Sequence, residues 1–271
     1  RGYAPLPIPL AQPVSLPAGE SILAVGAHMK TSVTLITGAQ AVVGAHIGDL
    51  DTLEARRAFA RAATDLPALY ATTPARWACD RHPDYASSAY AREHGSQVIA
   101  VQHHHAHVAS CMAEHGLTGP VLGVAWDGTG LGDDGTLWGG EFLRVAPGSC
   151  RRVATVRGFA LPGGDHAARK PVWSAVGALL EYVPQHMPGL AVSLLGLPEN
   201  EVRTLMTVAA KKINAPLTTS VGRWFDVVAA LTGLCRSSSF EGQAAMMLEW
   251  SVAGQNPDLP PYAFDLGEED G

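Results

Sequence analysis

One succession of segments occurs twice along the chain: an apolar strand-like run, a turn of glycine and polar residues, and a second apolar run. The first half reads "ILAVGAHMKTSVTLITG" and the second "VLGVAWDGTGLGDDGTLWGGEFL". The likeness is of pattern, not of letters. Short β-type runs bounded by small and polar residues signal strands joined by tight connections. Each half therefore opens on a three-stranded meander: "SILAVGAHM", "SVTLITG" and "AVVGAHIG" in the first, then "GPVLGVAWDGTG", "TLWGGEFLRVA" and "RRVATVRGFALPGG" in the second. After the first meander, "DLDTLEARRAFARAATDLPALYA" has an acidic start and apolar residues at helical spacing. "RWACD" and "SQVIAVQ" read as strands, and "YASSAYAREHG" and "HHAHVASCMAEHG" as helices ending at Gly95 and Gly116. The order is βββαβαβα.

Two such halves facing one another across a cleft make an α/β protein of two RNase H-like lobes, with ligands at the turns between the first two strands of each. The second half closes differently from the first. Helices are expected at about Lys170–Leu180, Glu199–Ala210, Trp224–Gly233 and Phe240–Ala253, and no further strand-like run follows, so the second lobe reads as incomplete. The expected divisions are a Pro- and Ala-rich lead-in over 1–19, a first lobe over 20–118, an incomplete second lobe over 119–254, and a Pro-, Gly- and acid-rich tail over 255–271.

Composition narrows the partners. The net charge of −6, with 16% charged residues and no Lys/Arg stripe, argues against a nucleic-acid partner. Cys79, Cys111, Cys150 and Cys235 form no CxxC pair, so neither a zinc knuckle nor a disulfide framework is indicated, and a reducing cytoplasm suits them. No apolar run approaches the ~20 residues that span a bilayer, so no membrane partner is expected.

The segment with the sharpest chemistry is "VQHHHAHVAS". His103 and His107 lie four residues apart, which places both imidazoles on one helix face about one turn apart, the geometry of a metal-binding pair. The same spacing also occurs in ordinary helices. His104 and His105 are expected to point elsewhere on the same helix, as side chains that support the ligands from outside or as solvated ones. A carboxylate completes such a pair for a borderline divalent ion, and Asp127, at the end of "VLGVAWD", is the candidate. Its alternative role is to cap the turn that follows. That turn, with Gly128, Thr129 and Gly130, can converge backbone N–H groups on an anion, or be a plain hairpin. At the matching turn of the first half, Lys30 could neutralise a phosphate or carbonyl oxygen, or be a solvated lysine. Gly163, Gly164 and Asp165 in "LPGGDHAARKP", with Arg223, Asp226 and Glu241 further on, could hold a nucleotide or form a salt-bridged surface.

Taken together, "GDLDTLEA", "ACDRHPDYASSAYARE", "VQHHHAHVASCMAEHG", "VLGVAWDGTGLGDDGTLWGGEF", "LPGGDHAARKP" and "GRWFDVVAALTGLCRSSSFEGQAAM" resemble the carboxy-terminal portion of the HypF family, carbamoyltransferases of NiFe-hydrogenase maturation. The resemblance runs from the lead-in to about Glu249. It implies a domain related to the threonylcarbamoyl transferase TsaD, with a pair of lobes of the actin/Hsp70-like (ASKHA) type. It also implies a divalent metal, iron or zinc, on His103, His107 and Asp127, and ATP or carbamoyl adenylate beside it. Gly128, Thr129, Gly130, Gly163, Gly164, Asp165, Arg223, Asp226 and Glu241 would lie near the adenylate, with Lys30 and Asp127 in catalytic roles. The implied reaction passes a carbamoyl group from carbamoyl adenylate to the C-terminal cysteine of a HypE-type partner, on the way to the cyanide ligand of the hydrogenase iron. None of the four cysteines here lies in a nucleophile motif, so the thiolate is expected from the partner.

Two segments of the family pattern are not found. The upstream acylphosphatase-like, zinc-finger and adenylate-forming domains are missing, so carbamoyl adenylate is expected from another domain or chain. A later "GGCFQN"-type segment with a further metal-binding Asp is missing too, which suggests a truncated unit. Two other readings stay open. A metal- and nucleotide-binding or docking module without catalysis is one. A metallohydrolase is the other, although the HExxH glutamate is lacking.

Overall fold

The computed structural model describes residues 6–254, 260 and 263–268. Of the expected tail, 255–259, 261–262 and 269–271 lie outside the described residues, as do 1–5 of the lead-in. The chain forms two sheets with helices, the mixed α/β architecture of two lobes.

The first sheet holds β1 (Ile8–Pro9), β2 (Glu20–Ala24), β3 (Thr34–Thr37), β4 (Gln40–Val43), β5 (Thr73–Asp80) and β6 (Val98–Val101), in the order β1-β4-β3-β2-β5-β6. The meander is antiparallel, with Ile22 opposite Ile36 and Leu35 opposite Val42. The strands β2, β5 and β6 run parallel, which requires crossover connections. Helices α1 (Leu53–Leu69) and α2 (Ala86–His94) supply them. Thr52 starts α1 by accepting the N–H of Ala55 at 3.1 Å. Leu23, Val25, Leu35, Phe59, Leu66 and Trp77 fill the core between sheet and helices.

Helix α3 (His103–Glu114) leaves the first sheet and packs on the second, where its Val108 joins Ala125, Trp138, Leu143 and Val145. The second sheet is built from β7 (Val121–Leu131), β8 (Leu137–Ala146), β9 (Ser149–Thr155), β10 (Phe159–Ala160) and β11 (Leu217–Thr218). Helices α4 (Pro171–Tyr182), α5 (Met187–Ser193), α6 (Glu199–Ala210), α7 (Val221–Leu231) and α8 (Gln243–Val252) follow the meander, with β11 between α6 and α7. Phe159, Val176, Met187, Leu195, Leu205 and Val227 form their shared core. Among the described residues no helix is long and apolar enough to cross a membrane.

Four details correct the sequence reading. The lead-in is not only a linker: Ile8–Pro9 pairs with Gln40 and Ala41 at the sheet edge, where a proline costs no ladder bond. A strand does follow the second meander: Thr218 pairs in parallel with Leu137. Helix α5 was not anticipated, because its seven residues contain Pro188 and Gly189. Helix α7 starts three residues before the expected Trp224, because Ser220 caps it by accepting the N–H of Arg223 at 3.1 Å.

Candidate metal centre

The site forms where α3, from the first half of the chain, meets β7, from the second. Gln102 fixes the start of α3, since its Oε1 accepts the N–H of His105 at 2.8 Å. One turn of helix then stacks His103 over His107, and their Nε2 atoms lie 3.2 Å apart. The pairing of β7 with β8 slips between Trp126 and Gly130. Irregularities of this kind re-aim side chains, and here Asp127 turns towards α3. Its Oδ2 lies 3.1 Å from His103 Nε2 and 3.7 Å from His107 Nε2. Its Oδ1 accepts the N–H of Gly128 at 2.6 Å. Ser220, at the head of α7, donates to the carbonyls of Asp127 and Gly128 at 2.9 and 2.7 Å and so holds the turn from behind.

Electrostatics support this arrangement. His103 Nδ1 donates to Asp80 Oδ2 at 2.6 Å, and the N–H of His82 donates to Asp80 Oδ1 at 2.8 Å. Burial disfavours charge on His103, but Asp127 and Asp80 on its two sides outweigh it and raise its pKa to about 9. Burial likewise opposes ionisation of Asp80 and Asp127. Hydrogen bonding to His103 and His82 overcomes it at Asp80, and the imidazoles of His103 and His107 with the N–H of Gly128 overcome it at Asp127, so both carboxyls titrate below their usual range. His104 goes the other way: burial, reinforced by the charge of His103, lowers it to about 4.

His103, His107 and Asp127 each offer one ligand atom, all within 4.8 Å of one another. Two imidazole nitrogens and a carboxylate oxygen suit a borderline divalent cation such as zinc or iron(II). Asp127 Oδ2 is buried, and its polar neighbours are imidazole nitrogens, those of His103 and His107 at 3.1 and 3.7 Å, with no hydrogen bond of good geometry. A cation bonded to that oxygen removes the deficit, so the residues fit a divalent ion. Asp80 fits the same reading, because a carboxylate behind a ligating histidine fixes the ring and leaves the other nitrogen free for metal.

The remaining candidates divide. Lys30, at a left-handed φ of 51°, sends Nζ 2.8 Å from Glu241 Oε1, so the turn of the first half reaches the residues just before α8. That hydrogen bond, working against burial, raises the Lys30 pKa. Arg223 and Asp226 form a buried pair at 3.1 Å on α7, and burial pushes Asp226 up to about 6. Gly128 is open-faced, with nothing within 4 Å of a would-be Cβ, and Thr129 is exposed. Gly130 faces the histidines instead: a Cβ there would lie 2.6 Å from His104 Cε1 and 2.7 Å from His103 Cδ2. Gly163 and Gly164 pack against Trp173 and Asn214 and begin a 3-10 turn that carries Asp165. The charge of Asp165 reaches Tyr85, whose pKa burial raises to about 12, with Asp80 and Asp127 adding to the effect.

Sequence reasoning did not identify Asp80, Gln102 or Tyr85, and it left His104 open as either a support for the ligands or a solvated side chain. His104 is fully buried, with Nε2 3.8 Å from Asp127 Oδ2. A signal for Asp80 was available, since a carboxylate ending a parallel strand faces the crevice where ligands gather. The acidic turn after Asp127 is structural. Asp133 pairs with Arg81, while Asp134 accepts from Trp138 Nε1 at 2.9 Å and pairs with Arg152 at 3.0 Å.

Comparison with known proteins bears on the whole chain. Residues 123–270 match the family model described as carbamoyltransferase, Kae1-like domain, second subdomain, and residues 17–114 match that of the HypF Kae1-like domain. Carbamoyltransferase HypF of Rhodobacter capsulatus is 42% identical over 96% of this chain and 36% of its own length. Carbamoyltransferase HypF of Synechocystis is 39% identical over 98% of this chain and 36% of its own. A crystal structure of full-length HypF, in a phosphate- and nucleotide-bound form, superposes with a TM-score of 0.90 at 37% identity, covering 100% of this chain and 34% of that one. HypF of T. kodakarensis gives a TM-score of 0.80 at 30% identity, over 96% of this chain and 35% of its own. The chain thus spans about a third of the length of these relatives. From the lead-in through both lobes, it belongs to the HypF family of Kae1-like domains.

Proposed function

We propose that this chain is a carbamoyl-transfer domain of hydrogenase maturation. It takes carbamoyl adenylate made by another domain or chain and passes the carbamoyl group to the C-terminal cysteine of a HypE-type partner. The observation that carries this reading is the convergence of His103, His107 and Asp127 at the junction of the two halves of the chain. The thiolate sulfur attacks the carbamoyl carbon, forming a C–S bond. The C–O bond to the phosphate breaks, and AMP departs with the electron pair. His103, His107 and Asp127 would hold a divalent cation, which would supply Lewis-acid polarisation of the carbonyl oxygen.

The protein's own groups do the rest. Asp80 holds the His103 ring with Nε2 facing Asp127. Lys30, whose ammonium pairs with Glu241, would neutralise phosphate charge once Glu241 releases it. Ser220 fixes the turn that starts at Gly128, whose open face leaves room for the adenylate. Arg223 and Asp226 pair on α7, whose first residues Ser220 and Gly222 meet that turn, and would serve the nucleotide end.

The test supplies synthetic carbamoyl adenylate and a peptide ending in the partner's cysteine, and follows the thiol by mass spectrometry. Carbamoylation above the uncatalysed rate, lost in a His103→Ala, His107→Ala double variant, is the expected result. A thiol modified no faster than without protein rejects transfer and leaves a binding module.

A further inference from the structure

We propose that His104 is a positioning residue for Asp127, and that Gln102 holds it in the tautomer carrying its proton on Nε2. Adjacent histidines of α3 would then sit in opposite tautomers, one as ligand and the other as hydrogen-bond donor. This rests on the metal-centre reading of His103, His107 and Asp127.

The assignment follows from the hydrogen bonds of Gln102. Its Oε1 must be the atom that accepts the backbone N–H of His105, at 2.8 Å, because an N–H can only donate. The amide nitrogen therefore faces the other way, where it lies 3.1 Å from the carbonyl of Leu131 and 3.2 Å from His104 Nδ1. An NH₂ group donates to both. His104 Nδ1 is thus an acceptor, which puts the proton of the neutral ring on Nε2. His103 is set the opposite way: its Nδ1–H is committed to Asp80, so Nε2 is the nitrogen that would give up its proton to a cation.

The Nε2–H of His104 has one evident destination. The side chain is fully buried, and Nε2 has no hydrogen-bond partner. Asp127 Oδ2, which has only imidazole nitrogens as side-chain polar neighbours, lies 3.8 Å away. Gly130 and Trp138 pack against the ring. A small rotation of the Asp127 carboxylate closes the gap. The carboxylate would then be held by the Gly128 N–H on Oδ1 and the His104 N–H on Oδ2, with lone pairs left for a cation. The same proton excludes His104 from the ligand set, so three neighbouring imidazoles provide two metal ligands.

Two measurements on the full chain test this. Imidazole ¹⁵N NMR, with and without zinc, should show His104 protonated at Nε2 and bare at Nδ1; a protonated Nδ1 in either state overturns the proposal. Zinc affinity, by chelator competition, should fall roughly 10- to 100-fold in His104→Leu, the range for loss of a partner that orients a ligand. His104→Gln, whose amide nitrogen reaches the Nε2 position, should recover most of that loss. Wild-type affinity in the leucine variant, or equal weakness in two folded variants, overturns the proposal. A wild-type chain that takes up no zinc overturns the metal-centre reading itself, whereas a zinc-binding wild type with Nδ1–H at His104 overturns only this inference.

Discussion

Replacing Gly130 with alanine tests how tightly the fold fixes the two histidines. Gly130 pairs with Trp138 in the β7–β8 ladder, so its backbone cannot yield freely. The added Cβ would sit 2.6 Å from His104 Cε1, and 2.7 and 2.9 Å from His103 Cδ2 and Cγ. Carbon atoms pack best at about 3.5–4.0 Å, so both rings must retreat by about 1 Å. His103 can do so only by stretching its 2.6 Å bond to Asp80. Overpacking of this kind costs about 1–3 kcal/mol. Metal sites tolerate ligand displacements of only about 0.2 Å, so zinc affinity should fall by at least about tenfold, or ~1.4 kcal/mol. Gly128→Ala is the control, because its Cβ meets nothing within 4 Å. It should stay within about 0.5 kcal/mol of the wild type. Urea unfolding of the metal-free protein reads the first effect and chelator competition the second. A Gly130→Ala chain that matches the wild type in both, or a Gly128→Ala chain equally impaired, would refute the reasoning.

Three further outcomes are expected. Asp80→Asn keeps the size of the side chain but removes its charge, and should weaken zinc binding by roughly 10- to 100-fold in chelator competition; unchanged affinity would show that Asp80 does not orient His103. The Lys30–Glu241 pair is mostly exposed, so a double-mutant cycle with Lys30→Ala and Glu241→Ala should give a coupling of only about 0.2–1 kcal/mol, and a larger value would show the pair to be a structural brace. Asp226, with a folded pKa of about 6 against an ordinary value of 3.8, binds more protons folded than unfolded, so its contribution to stability is largest in acid and disappears as pH rises through about 6. Between about pH 5 and about pH 7 the wild type should lose on the order of 1.4 kcal/mol relative to Asp226→Asn in urea unfolding, and a constant difference at the two pH values would contradict the buried, raised Asp226.

The meanders and the helices over Leu53–Leu69 and His103–Glu114 were legible because their apolar periodicity is long and bounded by glycine or by a capping residue. Elements of two residues carry no periodicity. Leu217–Thr218 is a strand only because β10 and Leu137 of β8 lie on its two sides, and Ile8–Pro9 because β4 offers an open edge. The ligand trio was legible in part, since the spacing of His103 and His107 is a local property. That Asp127 meets them depends on the irregular pairing before Gly130, which tertiary packing sets. Asp80 is 23 residues from His103, and only the parallel pairing of β5 with β6 brings it to the head of α3. Gly130 illustrates the limit: in sequence it belongs to an anion-binding turn, while in the fold its missing Cβ makes room for two imidazoles.

Carbamoyl transfer as proposed needs a cation shared by both halves of the chain. Crystals of the chain soaked in zinc and measured across the zinc absorption edge test this directly. One anomalous peak bonded to His103 Nε2, His107 Nε2 and an Asp127 carboxylate oxygen, with His104 outside the coordination sphere, is the predicted result. No peak among these residues, or a peak on the histidines alone with Asp127 turned away, would contradict it.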